Sequence, residues 1–538
     1  MNTSLEHIEF NWVKQWATLS PQRVAIQDGA SERRYTYRDL YEKSSGLATQ
    51  LRAQYLIEKG DRIACLAQNE LEHVVLFFAC LELGAVLVPL NYRLAPPELK
   101  TILRDCEPAL LFIHSQFFSI LSQITEIAEG TDPSASAQIS CVGFDLPITA
   151  TTDQPITAQT NADETSLVNL VNSPLNTAEI LQIAALEPRS DHPHELDPCL
   201  ILYTSGTTGK PKGVVISLKM IFYNSLNATL RLDLSSQDVS LGFLPFFHTG
   251  AWNVLLLPLL HRGGRIVLLK QFDAETAMHL CEQESVSILF GVPTTLEMLS
   301  RTPQFASSNL KGLRFVIVGG EAMSLGLIEK YEARGIPVRQ GYGLTEFGPN
   351  VFSLNAEHSK QKIGSIGFAN FYVNAKLVDA SGSEVIGCGE GELALNGPVC
   401  MTGYWKNPDE TAKVLSGGWL LTGDLLRRDE DGFYFVIGRK KEMYISGGEN
   451  VYPAEVEQVL KRAPGVRDAA VIGVPDSKWG ETGKAFVVLE KGAVTDEQTL
   501  VQVCLKNLAK YKIPKSFCFV TDLPRGENGK LLRSKLTS

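Results

Sequence analysis

Between Thr204 and Gly213 the chain reads Thr-Ser-Gly-Thr-Thr-Gly-Lys-Pro-Lys-Gly, setting three glycines, four hydroxyl side chains and two lysines side by side. Glycine lets backbone come close to a ligand. Hydroxyls, backbone N–H groups and ammonium heads are the donors a polyphosphate accepts from. The spacing is not that of the Walker loop: the four-residue spacer is missing, and Pro211 follows Lys210 where that motif has Ser or Thr. Proline there disfavours a helix starting at the lysine, so strand–loop–strand is predicted, with a helix only after Ser217. Gly341-Tyr-Gly-Leu-Thr-Glu346 combines a ring between glycines, suited to stacking a flat base, with the hard carboxylate oxygen that Mg2+ shares with phosphate. Trp419–Leu421 reads as a strand, and Asp424, in the turn Thr422-Gly423-Asp424 that follows it, can accept from two ribose hydroxyls. Lys530, in Pro524-Arg-Gly-Glu-Asn-Gly-Lys-Leu-Leu-Arg533, is an ammonium on a Gly-rich loop that can reach across an interface and stabilise charge building on phosphoryl oxygens. Each stretch alone has an ordinary reading as a solvated hairpin, a turn or a surface lysine.

Taken together and in this order, the stretches resemble the adenylate-forming superfamily of acyl- and aryl-CoA synthetases, peptide-synthetase adenylation domains and luciferases. The resemblance implies a phosphate loop at Thr204, Ser205, Gly206, Thr207, Thr208 and Lys212. It implies an adenine edge at Gly320, Glu321 and Ala322, where many acyl-CoA synthetases have Gly-Ala-Pro. It places Gly341, Tyr342 and Gly343 around the adenine, Thr345 on the α-phosphate, and Glu346 as both a catalytic residue and the Mg2+ ligand. Asp424 and Arg439 fall to the ribose, with phosphate a second option for the arginine, and Lys441 to the hinge about which a small domain swings. Ser446-Gly-Gly-Glu-Asn-Val-Tyr-Pro-Ala-Glu-Val-Glu457 resembles the loop that enters for the second half-reaction, so Gly447, Gly448 and Glu449 would line the tunnel for CoA. Some relatives keep a second lysine where this chain has Ile445, and those that activate fatty acids often have an aliphatic residue there. Lys530 matches the catalytic lysine bridging the acyl carboxylate and the α-phosphate. Leu244-Pro-Phe-Phe-His-Thr-Gly-Ala-Trp252 resembles the substrate gate, with His248 catalytic beside the carboxylate and Trp252 on the acyl pocket; a His and a Trp buried in an apolar helix is the alternative. Trp479-Gly480-Glu481 reads as a family-like surface loop or a structural turn.

The elements that must position these residues follow from the apolar pattern. Asp61–Ala67, Glu70–Leu83 and Ala85–Leu90 read as strand, helix and strand, a right-handed crossover in a parallel sheet. Arg265–Leu269, Ser287–Phe290 and Arg314–Val318 read as further strands, and Ser217 as the N-cap of a helix from Leu218 to Leu230. Past Tyr372, short alternating strands between Asp-Gly and Asn-Gly turns suggest a β-rich subdomain. Beyond Gly438 an α+β pattern begins, with helices at Pro453–Arg462 and Asp496–Leu508. The expected fold is therefore α/β: a large N-terminal domain of doubly wound sheets with a β-rich subdomain (1–438), and a small mobile α+β C-terminal domain (439–538). The polar stretch 147–198, with one helix near Ser173–Leu186, reads as a surface insertion.

At 538 residues and 44% hydrophobic content the chain is too long for one core. A formal charge of −10 argues against nucleic acid as a partner, although basic residues dominate from Lys506 to Lys535. Ten cysteines without Cys-x-x-Cys pairs imply free, mostly buried thiols in a reducing compartment and no zinc. No secretory signal is visible, and the apolar runs His73–Leu90 and Leu244–Leu260 are broken by glycine and charge or by proline. A cytoplasmic protein is expected, with peripheral membrane contact and a homodimer both compatible with the sequence. The function expected is AMP-forming activation of a medium- or long-chain fatty acid with ATP and Mg2+, then transfer to CoA. Rival readings are an aryl-CoA ligase, an acyl-AMP ligase serving a carrier protein and, least favoured, a non-catalytic acyl or nucleotide sensor.

Overall fold

Apolar runs bounded by glycine and proline build three sheets in the computed structural model, which describes residues 10–31, 33–125, 139–145, 194–205, 211–320, 323–446, 449–477, 479–508, 510–526 and 531–536. The expected strand–helix–strand unit is present as Arg62–Leu66, Leu71–Leu83 and Val86–Pro89, with the strands parallel and Ile63 opposite Leu87. Every residue of the Leu71–Leu83 helix except Glu82 is buried. A helix apolar all round must be covered on every side, and this one packs in the largest core together with side chains from both N-terminal sheets. Its buried acid, Glu72, is satisfied by Arg33 at 2.7 Å and the Tyr35 hydroxyl at 3.1 Å.

The smaller N-terminal sheet has the order Gly403–Tyr404, Pro211–Ser217, Pro198–Ser205, Val86–Pro89, Arg62–Leu66, Leu110–Ile113, Ser140–Gly143. In the larger one, Val338–Leu344, Phe315–Val318, Ile288–Gly291, Val239–Gly242, Arg265–Leu268 and Val24–Asp28 lie side by side and parallel. The β-rich part past Tyr372 is antiparallel and joins this sheet edge to edge through Gly348–Ser353 and Ser365–Ala369, forming one continuous path. The third sheet, Glu449–Val451, Tyr444–Ser446, Gly480–Leu489, Val466–Asp476 and Ser516–Phe519, has its own core with helices Pro453–Leu460 and Glu497–Asn507. It forms the separate C-terminal domain. Residues 147–193, including the helix expected near Ser173–Leu186, lie outside the described residues. No helix among the described residues is long and apolar enough to cross a membrane.

A charged cluster ties the two N-terminal sheets together at the ends of their parallel strands. Glu70 follows Arg62–Leu66, His114 follows Leu110–Ile113, Asp145 follows Ser140–Gly143 and Lys270 follows Arg265–Leu268. The Glu70 carboxylate lies 2.7 Å from Lys270 and 3.3 Å from His114, which is itself 3.4 Å from Asp145. Burial alone would push the Glu70 carboxyl up, but His114 and Lys270 more than offset this and hold it at about 2. A depressed carboxyl stabilises the fold above its unfolded value near 4.5, and that stability is lost as pH falls toward about 2. Discounting for the half-exposed Lys270, Glu70→Gln is expected to cost about 1–2 kcal/mol near neutral pH. That deficit should shrink as pH falls from about 5 to about 2.5 in denaturant titrations, and a deficit independent of pH would contradict the assignment.

Candidate active site

The phosphate-type loop is carried by a hairpin, as its proline required. Pro198–Ser205 and Pro211–Ser217 pair antiparallel, with Thr204 opposite Lys212 and the Thr204 hydroxyl 3.4 Å from the Lys212 carbonyl. Ser217 then caps the helix Leu218–Leu232, its hydroxyl accepting from Met220 N–H. The backbone of Ser205 ends the first strand, and Gly206, Thr207 and Thr208 lie outside the described residues. The Lys212 ammonium is paired with Glu410 and lies 5.2 Å from the Tyr404 ring centre. Lys212 and Lys413 hold the Glu410 carboxyl down at about 2.

Parallel pairing of Val318 with Gln340 brings the end of Phe315–Val318, and hence Gly319-Gly320, beside Gly341. Glu321 and Ala322 lie outside the described residues. Only glycine fits at 343, where a Cβ would fall 2.3 Å from the Pro349 carbonyl carbon and oxygen. Across the continuous sheet the Tyr342 hydroxyl donates to Asp424 at 2.6 Å, and the Arg439 Nε donates to the other Asp424 oxygen at 2.7 Å. Asp424 is only 4% exposed. Burial, then the neighbouring Asp424 charge, pushes the Tyr342 phenol up; burial would lower Arg439, but Asp424 together with Tyr342, Glu442 and Glu346 outweighs it and raises it.

The Thr422-Gly423-Asp424 turn was expected beyond a strand ending at Leu421; instead the strand Trp419–Arg428 runs through it. Gly423 has a φ of +72°, a left-handed kink that glycine takes without a steric penalty, and the strand continues past it. The kink is fixed by Glu392, which accepts from Gly423 N–H at 3.0 Å and from the Lys440 ammonium at 2.9 Å. Lys441, exposed, follows in the turn that leads to the third sheet.

Thr345, Glu346 and Phe347 form a single 3-10 turn after Val338–Leu344. Glu346 is half-buried, and its Oε1 accepts from the Tyr404 hydroxyl at 3.0 Å. Burial, then the Glu346 charge, pushes the Tyr404 phenol up. Among the described residues no group of three or more His, Cys, Asp or Glu is arranged so that it could hold a metal ion by itself. Glu346, a single carboxylate without other acids grouped around it among the described residues, fits Mg2+, an ion that takes one or two carboxylates and draws its other ligands from phosphate and water.

His248 is half-buried with its ring 4.5 Å from Phe247. Trp252 is 0% exposed, in a π-helical turn (Ala251–Leu256), its indole N–H donating to the Phe246 carbonyl at 2.6 Å and its ring stacked 4.5 Å from Phe246. It is a core group in this conformation and not the wall of an open pocket, as the gate resemblance implied. Trp252→Ala is expected to destabilise the fold by about 3–5 kcal/mol, read by chemical denaturation.

In the C-terminal domain, Glu449 lies on a short strand paired with Tyr444–Ser446, while Gly447 and Gly448 lie outside the described residues. The Trp479-Gly480-Glu481 stretch takes part in this hairpin: Gly480 pairs with Ser446, and Glu481 accepts from Ile445 N–H at 2.9 Å. Lys530 also lies outside the described residues, but both flanks of its loop are anchored. Arg525 pairs with Leu531 by a β-bridge and with Asp468 at 2.6 Å, and Arg533 reaches Glu457 at 2.6 Å and Glu442 at 3.2 Å. Reading the sequence alone passes over Tyr404, Glu410 and Glu392; only long-range strand pairing brings them here.

A phosphate-type hairpin, a strand-and-turn segment bearing a ring and a carboxylate, and a separate α+β domain define an adenylate-forming enzyme. Residues 13–405 match the AMP-binding enzyme family, and residues 455–530 match the AMP-binding enzyme C-terminal domain. The chain belongs to this family and is an AMP-forming acid–CoA ligase, whose reaction takes ATP with Mg2+ and CoA. It is 36% identical over 533 residues to a feruloyl-CoA synthase of Amycolatopsis sp, covering 98% of each chain. It is 34% identical over 524 residues to the long-chain-fatty-acid–CoA ligase FadD13 of Mycobacterium tuberculosis, covering 97% of each. Among solved structures it is similar to the o-succinylbenzoate CoA synthetase of Bacillus subtilis in complex with ATP and magnesium ion, with a TM-score of 0.80, 30% identity and coverage of 98% of this chain and 99% of that one.

Proposed function

We propose that the acid is an apolar monocarboxylate, with a medium- or long-chain fatty acid as the primary reading. The observation behind it is the apolar lining next to Gly319-Gly320: the Phe290 ring lies 3.3 Å from the positions a Cβ would take at Gly250 and at Gly319, and Val292 lies 3.6 Å from that at Gly320. A second reading, an aryl acid, is favoured by the full burial of Trp252 and its bond to the Phe246 carbonyl, which leave this side chain lining no open channel for a long chain. The relatives named for feruloyl, indoleacetate and succinylbenzoate substrates lean the same way.

In the proposed reaction, Tyr342 stacks the adenine and Asp424, paired with Arg439, takes the ribose hydroxyls. Thr204, Ser205, Gly206, Thr207, Thr208 and Lys212 hold the phosphates, and Gly320, Glu321 and Ala322 edge the base. Glu346 would hold Mg2+, which when bound neutralises phosphate charge. Lys530 and Thr345 steady the α-phosphate as the carboxylate, placed beside His248, attacks phosphorus and pyrophosphate leaves. The domain 439–538 then turns about Lys441, withdrawing Lys530 and presenting Gly447, Gly448 and Glu449 to CoA. The thiol attacks the mixed anhydride and AMP leaves. Pyrophosphate release across a panel of fatty and aryl acids tests the substrate reading: a maximum at C8–C16 acids supports the primary reading, and a maximum at cinnamate- or indole-type acids supports the second.

A further inference from the structure

Segment Met401–Lys413 touches both halves of the phosphate site, and no motif in the sequence marks it. Its strand Gly403–Tyr404 pairs with Pro211–Ser217, placing Tyr404 opposite Val214, two residues beyond Lys212. Met401 N–H donates to the Glu346 carbonyl at 2.9 Å, and the Tyr404 hydroxyl donates to the Glu346 side chain at 3.0 Å. The face of the same phenol lies 5.2 Å from the Lys212 ammonium, within cation–π range. One side chain thus touches the carboxylate on its polar end and the ammonium on its ring.

Tyr404 is itself held independently of Glu346. Its N–H donates to the Thr411 hydroxyl at 2.9 Å, and the Trp405 N–H of the indole donates to the Asp105 carbonyl at 3.0 Å. The helix Pro408–Val414 that carries Thr411 is capped by Asn407. Glu346, by contrast, belongs to a three-residue turn, too short to fix a flexible side chain without an external partner.

We propose that Tyr404 is a positioning residue for the divalent cation: its hydroxyl occupies Glu346 Oε1 and leaves Oε2 for the metal, while its ring sets where Lys212 stands relative to that carboxylate. This rests on the reading of Glu346 as the metal ligand. Partners of a metal-ligating carboxylate commonly matter for metal affinity by about 10–100-fold.

The test titrates full-length protein with Mn2+ in the presence of α,β-methylene-ATP and reads free Mn2+ by electron paramagnetic resonance, for wild type, Tyr404→Phe, Tyr404→Leu and Glu346→Gln, with AMP affinity and melting temperature measured alongside. Tyr404→Phe is expected to weaken Mn2+ binding by about tenfold with AMP affinity and melting temperature unchanged. Tyr404→Leu, lacking the ring as well, should also weaken metal-free binding of the ATP analogue. If Glu346→Gln loses Mn2+ affinity while Tyr404→Phe keeps it, the positioning role falls and the ligand reading stands. If Glu346→Gln leaves Mn2+ binding intact, both fall. Parallel loss of Mn2+ and AMP affinity in Tyr404→Phe overturns the proposal in favour of a general packing role.

Discussion

Lys530→Ala is expected to reduce acyl-adenylate formation by two to three orders of magnitude while leaving thioester formation from supplied acyl-AMP close to the wild-type rate. The size follows from removing one preorganised cationic donor at a developing phosphoryl charge, a loss of about 3 kcal/mol or more. The selectivity follows from the two-step reading, in which the ammonium serves only the first transfer. The variant should fold normally, because the loop's flanks carry the structure: Arg525 holds Asp468 at 2.6 Å, and Arg533 holds Glu457 at 2.6 Å. Quenched-flow measurement of each half-reaction checks this. Equal loss in both steps would remove Lys530 from the role assigned to it.

Asp424→Ala is expected to weaken AMP binding by about a hundredfold or more, since hydrogen bonds to a charged acceptor contribute about 1.5–3 kcal/mol each. Beyond its proposed contact with the ribose, the carboxylate has a second part. It accepts from Tyr342 at 2.6 Å and from Arg439 at 2.7 Å, so it fixes both the ring on which the base would stack and the guanidinium beside it. Removing it leaves Arg439 without that partner, but this side chain is 51% exposed, and the stability loss should stay near about 1–2 kcal/mol. Asp424→Asn, which retains an acceptor oxygen, should fall between the two. Calorimetric titration with AMP reads the difference; an unchanged AMP affinity in the alanine variant would contradict the ribose assignment.

The parts of this enzyme that could be read from sequence are those whose signals are local. Pro211 forced the hairpin around the phosphate loop, and Ser217 announced the helix Leu218–Leu232. Gly84 closed the helix Leu71–Leu83 where periodicity ended. The strands leading to Gly319-Gly320 and Gly341 were visible as apolar runs. What could not be read depends on distance along the chain. Tyr404 lies 58 residues from Glu346, and its placement comes from a two-residue strand with no apolar alternation of its own. Glu392 reaches Gly423 only because two antiparallel strands align with an irregularity beside it. Asp424 was legible as a residue but misplaced in structure, because a single left-handed glycine lets a strand continue through what looks like a turn. Trp252 shows the limit of an apolar stretch: a buried indole in a core and a gating indole on a pocket have the same local sequence, and only its 0% exposure and its bond to Phe246 separate them.

The central claim is that the carboxylate oxygen attacks the α-phosphorus of ATP. Turnover of an acid labelled with oxygen-18 in its carboxyl group, followed by mass spectrometry of the nucleotide product, tests it most directly. AMP carrying one labelled oxygen is expected, with pyrophosphate unlabelled. Label in inorganic phosphate with ADP as the nucleotide product, or AMP free of label, would contradict it.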